Sequence, residues 1–101
     1  MSQVSTLQEA FDVINNLNDA AYDDVYYLWL EADDEEDYDD AETKREKAYD
    51  EQTNVFRESY WALSDYARQS VEHWLRIDQD FKHQFQDFYG HSNYEDELGY
   101  L

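Results

Sequence analysis

The sequence predicts an all-α protein, a small bundle of three or four helices, on three observations. There is no proline, and both glycines, Gly90 and Gly99, lie near the C-terminus. Residues 1–89 therefore contain nothing that forbids helix. Apolar side chains recur at steps of three and four over two long stretches. Aromatic residues make up 18% of an otherwise polar chain, which supplies a core and argues against disorder. At 101 residues, one domain with a modest core is expected.

The first helix is expected over about residues 6–32. Ser5 and Gln8 have the spacing of a capping box, and Glu9 suits the first turn. Leu7, Phe11, Ile14, Ala21, Val25, Leu28 and Ala32 form a helical stripe, widened by Val13, Leu17 and Leu30. The cluster Asn15 to Asp19 offers an interruption, with Asn18 as the cap of a second piece.

Residues 33–40 read DDEEDYDD, and seven of the eight are acidic. Continued as helix, the segment would hold seven like-charge pairs at i,i+3 or i,i+4. At roughly 0.2–0.5 kcal/mol each they oppose helix by about 1.5–3.5 kcal/mol. Anions are also unfavourable at the end of one helix and favourable at the start of the next. A loop is expected over 33–39 within this acidic segment, with Asp39 or Asp40 capping the following helix.

From Ala41 to Tyr89 nothing stops a helix. A stripe runs through Ala48, Val55, Phe56, Tyr60, Leu63, Ala67, Val71, Trp74, Ile77, Phe81, Phe85 and Phe88. Unbroken, it would be about 73 Å long, too long for one small domain. A turn is expected near Ser64-Asp65 or at Ile77-Asp78; the alternative is a long bent helix that forms a homodimer. Gly90 should end the helical domain of residues 1–89, leaving 90–101 as a short acidic tail on which Tyr94, Leu98 and Tyr100 are the docking candidates. The expected core is Leu7, Phe11, Ile14, Val25, Leu28, Phe56, Leu63, Trp74, Phe81 and Phe85, joined by Trp29 and Trp61.

Catalytic and metal chemistry find no footing. Without cysteine there is no disulfide or thiolate site. Asp33, Glu35 and Asp37 match the first positions of a calcium loop. Tyr38 replaces its essential glycine, however, and Lys44 its bidentate glutamate. Asp80 and His83 share a helix face, but one such pair is not a metal site, and His73 and His91 add none. Phosphate-cradling glycines, a nucleophile elbow and the His-Glu-x-x-His motif are missing. The expectation is a non-enzyme with no cofactor and no metal. The N-terminal MSQVSTLQEAF lacks the basic and apolar regions of a signal peptide. No apolar run approaches a bilayer span, so a cytoplasmic protein is expected.

Charge is the dominant feature. Twenty-six acids against seven Lys and Arg leave a formal net charge of −19. Such a field repels nucleic acids and anionic membranes and attracts basic surfaces. Fourteen acids and three bases fall in residues 22–51, interleaved with Tyr22, Tyr26, Tyr27, Tyr38 and Tyr49. On the scale of duplex DNA, one charge per about 1.7 Å, the net charge equals that of roughly ten base pairs.

A small, acidic, cysteine-free, aromatic-rich helical chain resembles the phage-encoded DNA mimics, such as anti-restriction and anti-CRISPR proteins. The resemblance lies in overall character and in segments such as Asp33–Asp40, with no shared motif. It implies a viral inhibitor, often dimeric, whose carboxylates stand in for phosphates and block the nucleic-acid site of a host protein. The partner would be a basic component of a restriction, CRISPR or other DNA-processing complex in the host cytoplasm. The expected contact residues are Asp33, Asp34, Glu35, Glu36, Asp37, Tyr38, Asp39 and Asp40, supported by Asp23, Asp24, Glu42 and Glu46. The alternative is an interaction module that binds through an aromatic face, its acids serving solubility or halophilic adaptation.

Overall fold

A computed structural model describes residues 6–99. They are all-helical: α1 Leu7–Asp24, α2 Tyr26–Asp34, α3 Tyr38–Trp61, α4 Asp65–Ile77, α5 Gln79–Tyr89 and α6 His91–Glu97. Six helices replace the three or four expected. Part of the difference arises because both candidate turns, at Ser64 and at Asp78, are used.

Short polar side chains start four of the helices. Thr6, Asp37, Ser64 and Asp78 each accept a hydrogen bond from a backbone N–H of the first turn. The first cap is thus Thr6 paired with Glu9, in place of the expected Ser5 with Gln8; Ser5 lies outside the described residues. The α3 cap is Asp37, two or three residues before the expected Asp39 or Asp40. Its carboxylate accepts from Asp39 N at 3.0 Å and Asp40 N at 3.5 Å.

The first helical stretch breaks at Val25, not at Asn18. Val25 leaves the helical region (φ −110°, ψ 14°), and no side chain caps the restart. Asn18 stays inside α1 because its amide oxygen has a tertiary partner, accepting from Gln52 of α3 at 3.0 Å. A few residues earlier, Asn15 accepts from Gln84 of α5 at 2.6 Å. Bending at Val25 buries Val25 and Leu28 against Ala48 of α3, with Trp29 and Val55 at the edge.

The acidic loop shrinks to residues 35–37. Asp33 and Asp34 finish α2, while Tyr38, Asp39 and Asp40 start α3. Extended backbone at Glu35 and Asp37 separates the two groups, so the repulsion expected of a continuous helix is avoided.

α3 is the central element, about 36 Å long at 1.5 Å per residue. It packs on α2 as a helical hairpin and also meets α1 and α5, while α4 pairs with α5. The main core joins Ala10, Ile14 and Ala21 to Phe56, Tyr60, Val71, Leu75, Phe81, Phe85, Tyr89 and Tyr94. Its centre is aromatic: the Phe56 ring meets Phe85 edge-on at 5.6 Å, and Phe85 stacks on Tyr89 at 5.4 Å. Leu7, Phe11, Leu63 and Trp74 form the partly buried rim of this core. Trp61 does not join it; the residue is 41% exposed, its ring carries the Arg68 guanidinium at 5.1 Å, and its N–H donates to the Tyr89 hydroxyl. Leu30 and Ile77, counted in the stripes, are also exposed.

Residues 91–97, expected as part of a tail, form α6. Gly90 makes this turn at φ 91°, a conformation open to glycine. Tyr94 is buried against Phe85, and Glu97 pairs with Arg57 of α3 at 2.9 Å.

Phe56→Ala should cost about 3–5 kcal/mol in urea unfolding, a large share of the stability of a chain this size. Tyr60→Phe should cost little in the same assay, because the buried Tyr60 hydroxyl makes no close hydrogen bond and the neighbouring Glu72 carboxylate only keeps it protonated. Burial also raises the ionisation of Tyr49, Tyr60, Tyr89 and Tyr94 above the usual 10.0. Unfolded tyrosines then ionise first. The associated stability is complete below pH 10 and is lost as pH rises through the folded values. Circular dichroism with phenolate absorbance should show a joint alkaline transition above pH 10.

Candidate functional site

The α2–α3 hairpin carries most of the acids singled out in the sequence. Asp33 to Asp40 form its tip, and Glu42 and Glu46 continue along the exposed side of α3. Asp23 and Asp24 lie at the other end of α2, about 13 Å from the tip by helix rise. The expected contact residues therefore group as a tip plus a separate acidic pair.

Individual acids have different local duties. Asp37 is the cap of α3. Asp39 and Asp40 occupy the first turn of α3, where the helix dipole favours them. Glu35 accepts from Lys44 Nζ at 2.6 Å, clipping the loop to the second turn of α3. The Lys44 ammonium, with backbone N–H groups of Asp37 and Glu36, holds the Glu35 carboxyl below its ordinary value of 4.5. The same pairing raises Lys44 above 10.5. At neutral pH both members are charged, so Glu35 is partly neutralised in place.

Asp23, Asp24, Asp33 and Asp34 have no such duty. Each pair occupies the last turn of its helix, the carbonyl end of the dipole, where a negative charge is unfavourable; for Asp23 and Asp24 the start of α2, just past Val25, offsets part of that cost. Neither last turn contains a basic residue. Glu36, Glu42 and Glu46 are exposed to solvent.

Aromatic residues share this surface. Tyr22, Tyr26 and Tyr27 surround the α1–α2 bend, and Tyr38 begins α3, where it is 73% exposed. Leu30 lies exposed on α2. These tyrosines interleave with acids along the chain, and Tyr38 is the expected contact among them.

Two further groups join only through the fold. Tyr49 of α3 donates its hydroxyl to the Asp87 carbonyl of α5 at 2.8 Å, across 38 residues of chain. Trp29 of α2 donates its indole N–H to Gln52 Oε1 of α3 at 3.0 Å. No local pattern signals either pairing.

The described residues extend 46 × 28 × 20 Å. Along the long axis the net charge of −19 amounts to one negative charge per about 2.4 Å, against about 1.7 Å for duplex DNA. Among the described residues, no three His, Asp or Glu side chains are placed to share a metal ion. Nor is any helix long and apolar enough to cross a membrane.

Asp37→Ala should destabilise the fold by about 1 kcal/mol in thermal or urea unfolding, whereas Asp37→Asn, which still caps, should stay within a few tenths. Equal losses from both substitutions would mean that charge, rather than the cap, sets the contribution of Asp37.

No family model, curated protein or solved structure matches this chain.

Proposed function

We propose that this chain is a non-catalytic nucleic-acid mimic that occupies the DNA- or RNA-binding site of a basic host protein. On this reading the partner is part of a restriction, CRISPR or other DNA-processing complex, and the inhibitor is of viral origin and works in the host cytoplasm. Its contact surface is Asp33 to Asp40 with Asp23, Asp24, Glu42 and Glu46.

The observation that carries the proposal is the placement of the two aspartate pairs. Asp23-Asp24 and Asp33-Asp34 end consecutive helices without a basic residue in either last turn. Charges needed only for solubility are accommodated at helix starts or on mid-helix faces without this penalty. Acids kept where they weaken the helix fit a role in binding, since local rules are broken where function requires it. The line density of charge, of the same order as that of a duplex, supports the same reading. So do the exposed tyrosines between the acids, whose rings offer flat surfaces to arginine side chains.

A second reading is favoured by the exposure of Tyr27 and Tyr38, 61% and 73%. In that case the aromatic face binds, and the charge only maintains solubility. Salt separates the two, because screening weakens charge recognition and leaves apolar contact almost unchanged.

The test uses a tagged protein to capture partners from host lysate, with elution by salt and separately by duplex DNA and by RNA. The mimic should release a nucleic-acid-binding protein to salt and to at least one nucleic acid. Retention through high salt and indifference to both nucleic acids would refute it. The variant Asp23→Asn/Asp24→Asn/Asp33→Asn/Asp34→Asn should bind that partner at least about tenfold more weakly. It should also unfold at a higher temperature, by about 0.3 kcal/mol or more at each of Asp33 and Asp34 and by less at Asp23 and Asp24. Weaker binding together with higher stability distinguishes a contact surface from a folding element.

A further inference from the structure

Beside the acidic hairpin lies a groove with aromatic walls. Trp29 of α2 and Tyr49 of α3 line two adjoining hollows. The inner one, about 280 Å³, reaches Phe88 and Asp87 of α5. The outer one, about 420 Å³, opens along α3 past Glu42, Glu46 and Asp50. Ring surface and carboxylates thus line the same two hollows.

The polar edges of the two rings are already used. The Trp29 indole N–H donates to Gln52, whose own amide donates to Asn18 at 3.0 Å. The Tyr49 hydroxyl donates to the Asp87 carbonyl. These bonds tie α1, α2, α3 and α5 together and hold the rings in place, leaving ring surface to line the groove. A wall held in this way loses little freedom on binding. The surroundings are negative: burial first, then the carboxylates of Asp87 and Asp50, raise the Tyr49 hydroxyl above its ordinary value. Arg45 is the one cation among the residues lining the groove, against the three carboxylates of the outer hollow and Asp87 of the inner one.

We propose that this groove anchors an arginine side chain of a basic partner protein. The inference rests on the acidic-mimic reading for the nature of the partner and adds the chemistry of its central contact. A guanidinium stacks flat on indole and phenol rings and bonds two carboxylate oxygens at once, whereas an ammonium is a strongly hydrated point charge. Aromatic walls with carboxylates beyond them match the first geometry. The inner hollow falls just below the roughly 300–1,000 Å³ usual for small-molecule sites, a size suited to a side chain. Charge excludes nucleic acid as the occupant and opposes a second copy of this chain, which would bring −19 against −19.

The test titrates the whole protein with nona-arginine and nona-lysine peptides, equal in charge. Affinity is read by calorimetry, and the groove by the indole N–H resonance of Trp29, assigned with Trp29→Phe. The arginine peptide should shift that resonance and bind about fivefold more tightly than the lysine peptide. Tyr49→Ala should remove the preference while lysine-peptide affinity stays within about twofold. Glu46→Gln/Asp50→Asn, which leaves the packing intact, should reduce the preference as well. Equal binding of the two peptides with a silent Trp29 resonance overturns the groove and leaves the acidic mimic standing. An arginine preference sensitive to Tyr49→Ala, with a captured partner that neither DNA nor RNA displaces, upholds the groove and overturns the mimic. Binding of neither peptide overturns both.

Discussion

The packing of Phe56 and Tyr60 of α3 against Phe85 and Tyr89 of α5 is the contact on which the rest of the structure depends. All four rings are fully buried. A chain carrying −19 repels itself when it becomes compact, and little of that repulsion is relieved by internal pairing. Only four ion pairs occur among the described residues, and one of them depends on a protonated histidine. Compaction must therefore come from apolar area, and aromatic side chains bury the most of it per residue. Edge-on and stacked rings add direction to that burial. This fixes how α5 lies on α3 and allows Tyr94 of α6 to pack on Phe85.

Concentrating the core in α3, α4 and α5 leaves α2 with a smaller one. Val25, Leu28 and Ala48 are its buried members, with Trp29 and Val55 at their side. The α2 helix is short, lacks a side-chain cap and ends in Asp33 and Asp34. Its position depends on packing along α3, on the Trp29–Gln52–Asn18 hydrogen bonds and on the Glu35–Lys44 clip. The element with the least intrinsic helical support is also the one that presents acids and tyrosines to solvent. The ring-rich half supplies stability, and the charge-rich hairpin carries the surface proposed for recognition.

Within the hairpin, the acids are not equivalent. Asp37 and Glu35 hold the loop, and Asp39 and Asp40 sit where a helix start welcomes them. The two aspartate pairs at helix ends oppose the folding of the elements they belong to. Binding to a basic surface would turn that opposition into attraction, because a cation at a helix C-terminus interacts favourably with both the dipole and the carboxylates. A partner rich in arginine, as proposed, would relieve a conflict left in the free protein.

Helical class, a turn at Ser64 or at Asp78, and the buried residues Ile14, Val25, Leu28, Phe56, Phe81 and Phe85 were legible in the sequence alone, whereas Tyr60, Leu75 and Tyr89 lay outside the expected core. The reasons are local: spacing of apolar residues, capping side chains and the absence of proline act within a few residues. Ile14, Phe56, Phe81 and Phe85 could be placed in the core from periodicity, and the high acidity of residues 33–40 was plain. The bend at Val25 was decided by tertiary structure, since burying Val25 and Leu28 on α3 is what stabilises it. Asn18 looked like a helix start because an amide inside a helix competes for backbone hydrogen bonds. Its partner, Gln52, lies 34 residues away. Trp61 was expected in the core for its size and apolar ring but stays at the surface, held by Tyr89 and Arg68. The site divides in the same way. Its charge is a sum over residues and needs no fold, whereas the meeting of Trp29, Tyr49 and Asp87 requires three helices to pack, because those contacts have no local periodicity to announce them.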